Sequence, residues 1–130
     1  MSAISHPDLE LGRAFALSLS SKDFPAIERL LHPNLTFRAL TPGRARYLWE
    51  SHKPDLVVSE ILKNWFEETD HIESLLKLDL DRVGDRNRVA YRFSVTNSDG
   101  KFEIEQQAYF SVTEGKISWM SLVCSGFRPV

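Results

Sequence analysis

The spacing of apolar residues changes near residue 70, from a period of three to four residues to a period of two. Before that point, the clearest apolar stripe recurs at i, i+3, i+4, i+7 and i+8, which is one face of an α-helix. Its members are Val58, Ile61, Leu62, Trp65 and Phe66. Shorter stripes over residues 9–19 and 24–31 predict two earlier helices, which begin after Ser5-Pro7-Asp8 and at Asp23. Residues 35–40 predict a short strand between the second and third helices.

From His71 onward, apolar and polar residues alternate, which is typical of strands with one buried face. Asp99-Gly100 and Glu114-Gly115 are hairpin turn signals, and Gly84–Asn87 is a looser one. The second half is therefore predicted to be a meander of four long antiparallel strands. Together the two halves predict a single α+β domain over residues 1–130, with N-terminal helices packed on an antiparallel sheet.

Two-residue turns at these signals would determine which residues face each other across the meander. They place Arg92 between Asp79 and Gln107, and they place Gln107 opposite Leu122. The face with this row also carries Lys77, Ala90, Ser94, Glu105, Tyr109, Met120 and Cys124. The opposite face is mostly apolar: Leu78, Leu80, Tyr91, Phe93, Val95, Ile104, Phe110, Trp119 and Val123, interrupted by Gln106 and Ser121.

Composition excludes several classes of protein. The 130 residues are 42% hydrophobic and 26% charged with a net charge of -2, so a nucleic-acid partner, which requires a basic stripe, is not expected. No apolar run approaches the roughly 20 residues of a membrane span, and the N-terminus lacks the pattern of a signal peptide. The one cysteine, Cys124, cannot form an internal disulfide. We therefore expect a cytoplasmic protein with no membrane partner.

Asp79, Arg92, Glu105 and Gln107 form the best polar cluster of the predicted meander. One interpretation is a charged floor that orients a polar ligand, with Arg92 binding a carboxylate or carbonyl oxygen. The alternative is a set of cross-strand ion pairs with no ligand. Asp79 or Glu105 could act as a general base if burial raised its pKa, although a neighbouring arginine opposes that shift.

Other candidate chemistry is sparse. The four histidines, at positions 6, 32, 52 and 71, show no metal-ligand spacing, so neither a metal nor a cofactor is expected. Cys124 has no histidine paired with it in sequence, which favours a small apolar lining residue over a nucleophile. Trp65 is expected in the core or in a pocket wall, and Trp49 and Tyr109 are expected to line or cap a pocket mouth.

The order of elements and two local stretches resemble the nuclear transport factor 2-like superfamily, including its SnoaL-like and ketosteroid isomerase-like members. The stretches are residues 22–37, with Lys22-Asp23-Phe24-Pro25 and His32-Pro33-Asn34-Leu35, and the turn around Glu114-Gly115-Lys116-Ile117. The closing residues 124–129 are similar to the ending of a bacterial subgroup. The resemblance implies a cone-like fold in which the helices pack on a strongly bent sheet. It also implies a pocket between the helices and the concave face of that sheet.

Comparison with ketosteroid isomerase implies that the face of Arg92 and Gln107 lines this pocket. The ligand-binding residues it suggests are Arg92, Gln107, Asp79, Glu105, Tyr109, Met120, Leu122, Cys124 and Trp65. The isomerase's own catalytic groups are absent, since Phe15, Arg38 or Ala39, and Gln107 stand where its tyrosine and two aspartates would be.

The function expected from these observations is the binding of a small molecule in an enclosed cone. One alternative is a lyase, isomerase or hydrolase of the polyketide-cyclase-like or epoxide-hydrolase-like kind, using Asp79 or Glu105. Another is a protein–protein interaction module. The aromatic residues of the apolar face also predict a homodimer through the sheet. They are Tyr91, Phe93, Phe110 and Trp119.

Overall fold

A computed structural model describes residues 6–42 and 48–130 of the chain. Two helices and two strands come first: α1 (Leu9–Ser20), α2 (Phe24–Leu30), β1 (Leu31–Leu40) and β2 (Leu48–Ser51). A third helical segment consists of α3 (Pro54–Leu56), a π-helix (Val57–Leu62) and α4 (Lys63–Trp65). The remaining strands are β3 (His71–Val83), β4 (Arg86–Asn97), β5 (Gly100–Thr113), β6 (Lys116–Cys124) and β7 (Arg128–Pro129).

The predicted helices and the four-stranded meander are confirmed. Asp23 caps α2 as expected, because its side chain accepts a hydrogen bond from the backbone N–H of Ala26 at 3.2 Å. The predicted capping residue Ser5 lies outside the described residues. The third helix has a π-helical centre, which its regular 3.6-residue apolar spacing did not indicate.

The sheet is mixed, in the order β2-β1-β6-β5-β4-β3, with β7 paired to β5. The meander strands β3 to β6 are antiparallel, but β1 lies parallel to β6. This differs from the purely antiparallel sheet that the sequence predicted. The chain between β1 and the meander includes the whole third helical segment, and a long connection of this kind allows two strands to run in the same direction.

Two hairpins have a register two residues away from the predicted one. The turn between β4 and β5 is made by Ser98-Asp99, so Arg92 lies opposite Glu105 and not Gln107. The turn between β3 and β4 is made by Gly84-Asp85, so Lys77 and not Asp79 lies opposite Arg92. Because side chains alternate with a period of two, these shifts change the partners but leave Asp79, Arg92, Glu105 and Gln107 together on one face, as predicted.

In the hairpin of β5 and β6, by contrast, most residues of β6 lie on the face of the sheet opposite to the predicted one. Close to the turn, Val112 pairs with Ile117 as predicted, but a bulge beside Ser111 shifts the register by one residue. Gln106 then lies opposite Cys124, and Gln107 lies opposite Val123. A one-residue shift moves a strand's side chains to the other side of the sheet. Met120, Leu122 and Cys124 therefore lie on the apolar face, and Trp119 and Val123 lie on the polar face. Each of these five residues is on the side of the sheet opposite to the predicted one.

The apolar face lies under the protein's own helices, and we call it the inner face. Phe15 of α1 packs on Tyr91 with ring centroids 6.4 Å apart, and Phe66 packs edge-on against Phe93 at 6.0 Å. The prediction that Tyr91, Phe93 and Phe110 form an exposed dimer surface is wrong, since each is at most 1% exposed. The prediction that the face of Arg92 points into the cone is also wrong. The helices cover the face that buries more apolar area, which leaves the polar face in solvent.

Candidate functional site

A row of neutral polar side chains crosses the inner face within the apolar core. Tyr91, Gln106 and Cys124 lie side by side on β4, β5 and β6. The Tyr91 hydroxyl donates to the Gln106 Oε1 at 2.5 Å, and Gln106 Nε2 donates to the Cys124 Sγ at 3.4 Å. Buried polar groups are costly unless they are paired, so this chain of contacts stabilises its own members.

The row continues to the end of β1, where a cavity opens to the surface. Trp49 Nε1 donates to the Thr41 Oγ1 at 2.8 Å. Thr41 and Cys124 both line a cavity of about 350 Å³, which we call the end pocket. Its other lining residues are Leu40, Pro42, Val123 and Ser125. We refer to Tyr91, Gln106, Cys124, Thr41 and Trp49 together as the polar belt.

The polar belt carries no formal charge near neutral pH. Burial raises the pKa of the Tyr91 hydroxyl well above its usual range, and nearby Cys124 adds to the effect. Burial also raises the pKa of the Cys124 thiol, although hydrogen bonds from the Gln106 side chain and from the Gly126 N–H oppose the rise. Both groups are therefore protonated, and the belt is a set of neutral donors and acceptors.

Several of these donors have unused hydrogen-bonding capacity. A primary amide has two N–H groups, a threonine hydroxyl has one O–H, and a thiol has one S–H. Within residues 6–42 and 48–130, the Thr41 hydroxyl and the Cys124 thiol donate to no neighbour, and Gln106 uses one N–H. The two donors that line the end pocket, Thr41 and Cys124, are thus available to a ligand oxygen.

Trp65 is close to this belt and packs against the hydrophobic core. Its ring packs edge-on against Trp49 at 6.2 Å and tilted against Phe37 at 6.4 Å. Its indole N–H is buried and has no hydrogen-bond partner among the described residues. An unpaired buried donor is unusual in a folded protein, because it loses its hydrogen bond to water without replacement.

The raised pKa values predict a loss of stability at alkaline pH. The unfolded chain ionises first, near pH 8.5 for cysteine and 10 for tyrosine, so the stability that these neutral groups contribute is complete below those values and is lost above them. We expect the free energy of unfolding to fall as pH rises above about 9. Denaturant titrations at a series of pH values should show a shallower fall in Tyr91→Phe than in the wild type.

The predicted polar cluster lies on the opposite face, in solvent. Arg92 pairs with Glu105, with Nε–Oε1 and Nη2–Oε1 distances of 2.9 Å and 2.8 Å, and both side chains are over 40% exposed. Lys77 pairs with Asp79 at 3.5 Å, and Arg88 donates to Gln107 at 3.3 Å. Two cavities of about 370 and 250 Å³ lie over these residues. The predicted residues are therefore neighbours, but their charges are largely satisfied by one another.

The remaining predicted site residues divide between the two faces. Tyr109 is on the outer face opposite Ser121, while Met120, Leu122 and Cys124 are on the inner face. Met120 and Leu122 are fully buried and have no exposed surface for a ligand. The sequence-based site omitted Tyr91, Gln106 and Thr41. Gln106 had a signal, since it interrupts an otherwise apolar face.

The sequence predicted neither a metal site nor a membrane-spanning helix, and both features concern particular groups of the described residues. Within the described part of the chain, no group of three or more His, Cys, Asp or Glu side chains is arranged to hold a metal ion. His32 instead contacts Glu114, with 2.8 Å between Nε2 and Oε1, and its Nδ1 accepts from the Asn34 N–H at 3.1 Å. No helix there has the length and apolar character needed to cross a membrane.

Comparisons with known proteins identify the fold. No protein-family model matches the chain, and no curated protein matches it. Among solved structures, an NTF2-like protein from Burkholderia thailandensis E264 aligns with a TM-score of 0.70 and 18% identity, covering 93% of this chain and 92% of that one. An LEH-like epoxide hydrolase from M. tuberculosis aligns with a TM-score of 0.63 and 12% identity, covering 92% and 83%. Bal32a, from a soil-derived mobile gene cassette, gives 0.68 and 16%, covering 91% and 88%.

The fold predicted from the sequence resemblance is therefore confirmed. At these identities the likeness concerns the fold, which is shared by proteins with different activities. The function has to be argued from the side chains of this chain.

Proposed function

We propose that this nuclear transport factor 2-like domain binds a small, largely apolar organic molecule with one hydrogen-bonding oxygen, such as a ketone or an alcohol. The ligand occupies the end pocket, and its oxygen contacts Thr41 and Cys124. The observation that carries the proposal is the pair of unused donors at the wall of a cavity otherwise formed mainly by apolar side chains. An apolar cavity with a few convergent polar groups is the usual form of a small-molecule site.

The charge of the site favours a neutral ligand. Tyr91 and Cys124 are held in their protonated forms, and no carboxylate or cationic side chain is among the residues that line the end pocket. An ionic ligand would lose its hydration without gaining an opposite charge, which is unfavourable. A carbonyl or hydroxyl oxygen needs only the donors that the belt supplies.

Binding without a chemical step fits this arrangement best. The lyase, isomerase and hydrolase alternatives need an acid or base beside the substrate. Their candidate bases, Asp79 and Glu105, are on the outer face and paired with Lys77 and Arg92. A thiol and a phenol with raised pKa values are poor nucleophiles and poor bases near neutral pH.

The test compares two probes of the same shape, cyclohexanone and methylenecyclohexane, by NMR titration of the labelled protein. The ketone should bind at Thr41 and Cys124 and the alkene more weakly. Thr41→Val should reduce ketone affinity about fivefold, because a net hydrogen bond is worth about 1 kcal/mol, and should leave alkene binding unchanged. Thr69→Val, which replaces an exposed threonine, is the matched control.

The comparison separates a lost hydrogen bond from a damaged pocket. A damaged pocket would weaken both probes equally. The proposal fails if Thr41→Val binds the ketone as tightly as wild type, or if neither probe shifts the amide signals of residues 39–42 and 122–125.

We also propose a homodimer through the sheet. Because the inner face is covered by helices, the contact between the two copies would use the outer face. Leu40 lies between Leu48 and Val123 on the neighbouring strands, and all three side chains are at least 50% exposed. A continuous apolar strip on an uncovered sheet face favours self-association, which would remove the strip from water. Sedimentation at micromolar concentration should show a dimer for wild type and a monomer for Val123→Glu. A monomeric wild type would rule the dimer out.

A further inference from the structure

A second cavity, separate from the end pocket, lies between β2 and the π-helix. It has a volume of about 450 Å³ and is lined by Leu48, Trp49, Glu50, Ser51, Leu56, Glu60 and Ile61. It shares no lining residue with the end pocket. We call it the β2 groove. Its lining differs from that of the end pocket because it combines an aromatic ring with carboxylates.

Two carboxylates belong to the groove, one from β2 and one from the π-helix. Glu50 is already paired with Arg38 and His52, in each case with 3.4 Å between nitrogen and oxygen. Glu60 has no cationic partner within salt-bridge distance among residues 6–42 and 48–130. The groove therefore has an unneutralised negative charge at Glu60, which would attract a cation.

The aromatic wall of the groove is held rigidly. The Trp49 indole N–H is fixed by its hydrogen bond to Thr41, and the Trp65 ring packs edge-on against the Trp49 ring. Leu56 and Ile61 of the helical segment supply apolar surface to the groove. A rigid indole beside apolar carbon and a carboxylate is the combination that binds alkylated ammonium groups, because the ring attracts the charge and the apolar surface contacts the alkyl carbons.

The π-helix places Glu60 at this position. Four of its six residues, Val57, Val58, Ile61 and Leu62, are buried, which leaves Ser59 and Glu60 exposed. A π-helical turn is rare in proteins, and such turns occur frequently at functional sites. It is thus an independent sign that this wall of the groove serves more than packing.

We infer that the β2 groove binds a small organic cation, an alkylammonium or quaternary ammonium group, between the Trp49 ring and the Glu60 carboxylate. This goes beyond the proposed function, which assigns a neutral ligand to the end pocket. Trp49 links the two sites, because it lines the groove and its N–H contacts Thr41 of the belt.

The experiment is an NMR titration of the full chain with tetramethylammonium chloride, with tert-butanol as the neutral probe of similar size and sodium chloride as the ionic-strength control. Tetramethylammonium should shift the Trp49 indole signal and the amides of residues 56–61, and neither control should do so. Glu60→Gln should weaken binding about threefold to fivefold, in keeping with a single solvent-accessible ion pair. Glu68→Gln removes another exposed carboxylate and should bind as wild type does.

Three results would overturn the inference. They are equal shifts with tert-butanol, unchanged affinity in Glu60→Gln, and equal weakening in Glu68→Gln, which would indicate a general charge effect. Because Glu60 is exposed, its variant should fold normally, and an unchanged melting temperature verifies this. Ketone binding at the end pocket should be unaffected by Glu60→Gln, so the failure of either proposal is distinguishable from that of the other.

Discussion

Replacing Phe93 by alanine should lower the free energy of unfolding by about 3–5 kcal/mol, whereas replacing its neighbour Arg92 by methionine should change it by less than about 1 kcal/mol. Phe93 is fully buried, stacks on Tyr91 with 5.0 Å between ring centroids, and contacts Phe66 at 6.0 Å. Its removal leaves a cavity that the surrounding rings cannot fill. Arg92 loses only an ion pair whose two side chains are both over 40% exposed.

Urea denaturation of the two variants measures this difference directly. The comparison is matched, because the residues are adjacent on β4 and differ mainly in the face that they occupy. A buried Arg92 pair would instead cost on the order of 3 kcal/mol when broken. Equal losses in both variants, or a larger loss in Arg92→Met, would show that the assignment of the inner and outer faces is reversed.

Replacing Gly12 by valine should cost about 3 kcal/mol of stability, although valine is the better helix former. Gly12 lies in α1 where the helix contacts the sheet. A Cβ atom there would be 2.9 Å from the Phe110 ring and 3.2 Å from the Val89 Cβ. Phe110 and Val89 are both fully buried, so neither can move aside without disturbing the core.

A double-mutant cycle tests the cause of this loss. Gly12→Ala should destabilise by about 1 kcal/mol in the wild-type background, and Phe110→Leu should remove most of that penalty by shortening the opposing side chain. Arg13→Val is the control for a β-branched residue in α1, since Arg13 is exposed. Additive effects of the Gly12 and Phe110 substitutions would contradict direct contact between them.

The sequence alone was sufficient for features that depend on neighbours in the chain. The apolar spacing of residues 58–66 predicted the third helix, and alternation after His71 predicted the meander. Turn residues predicted the hairpins to within two residues. Such signals are local, because helix and strand periods and turn conformations are set by residues a few positions apart. The superfamily resemblance then supplied the correct fold.

The tertiary structure decided which face of the sheet is buried and which residues of β6 belong to it. One bulge beside Ser111 moved Cys124 from the face of Gln107 to the face of Gln106, and no local pattern marked it. The close approach of Gly12 to Phe110 joins residues almost a hundred positions apart. The polar belt likewise depends on contacts among β1, β2, β4, β5 and β6. Packing of distant segments created the candidate site, since one inserted residue changes a strand's face and the helices cover the face that buries more apolar surface.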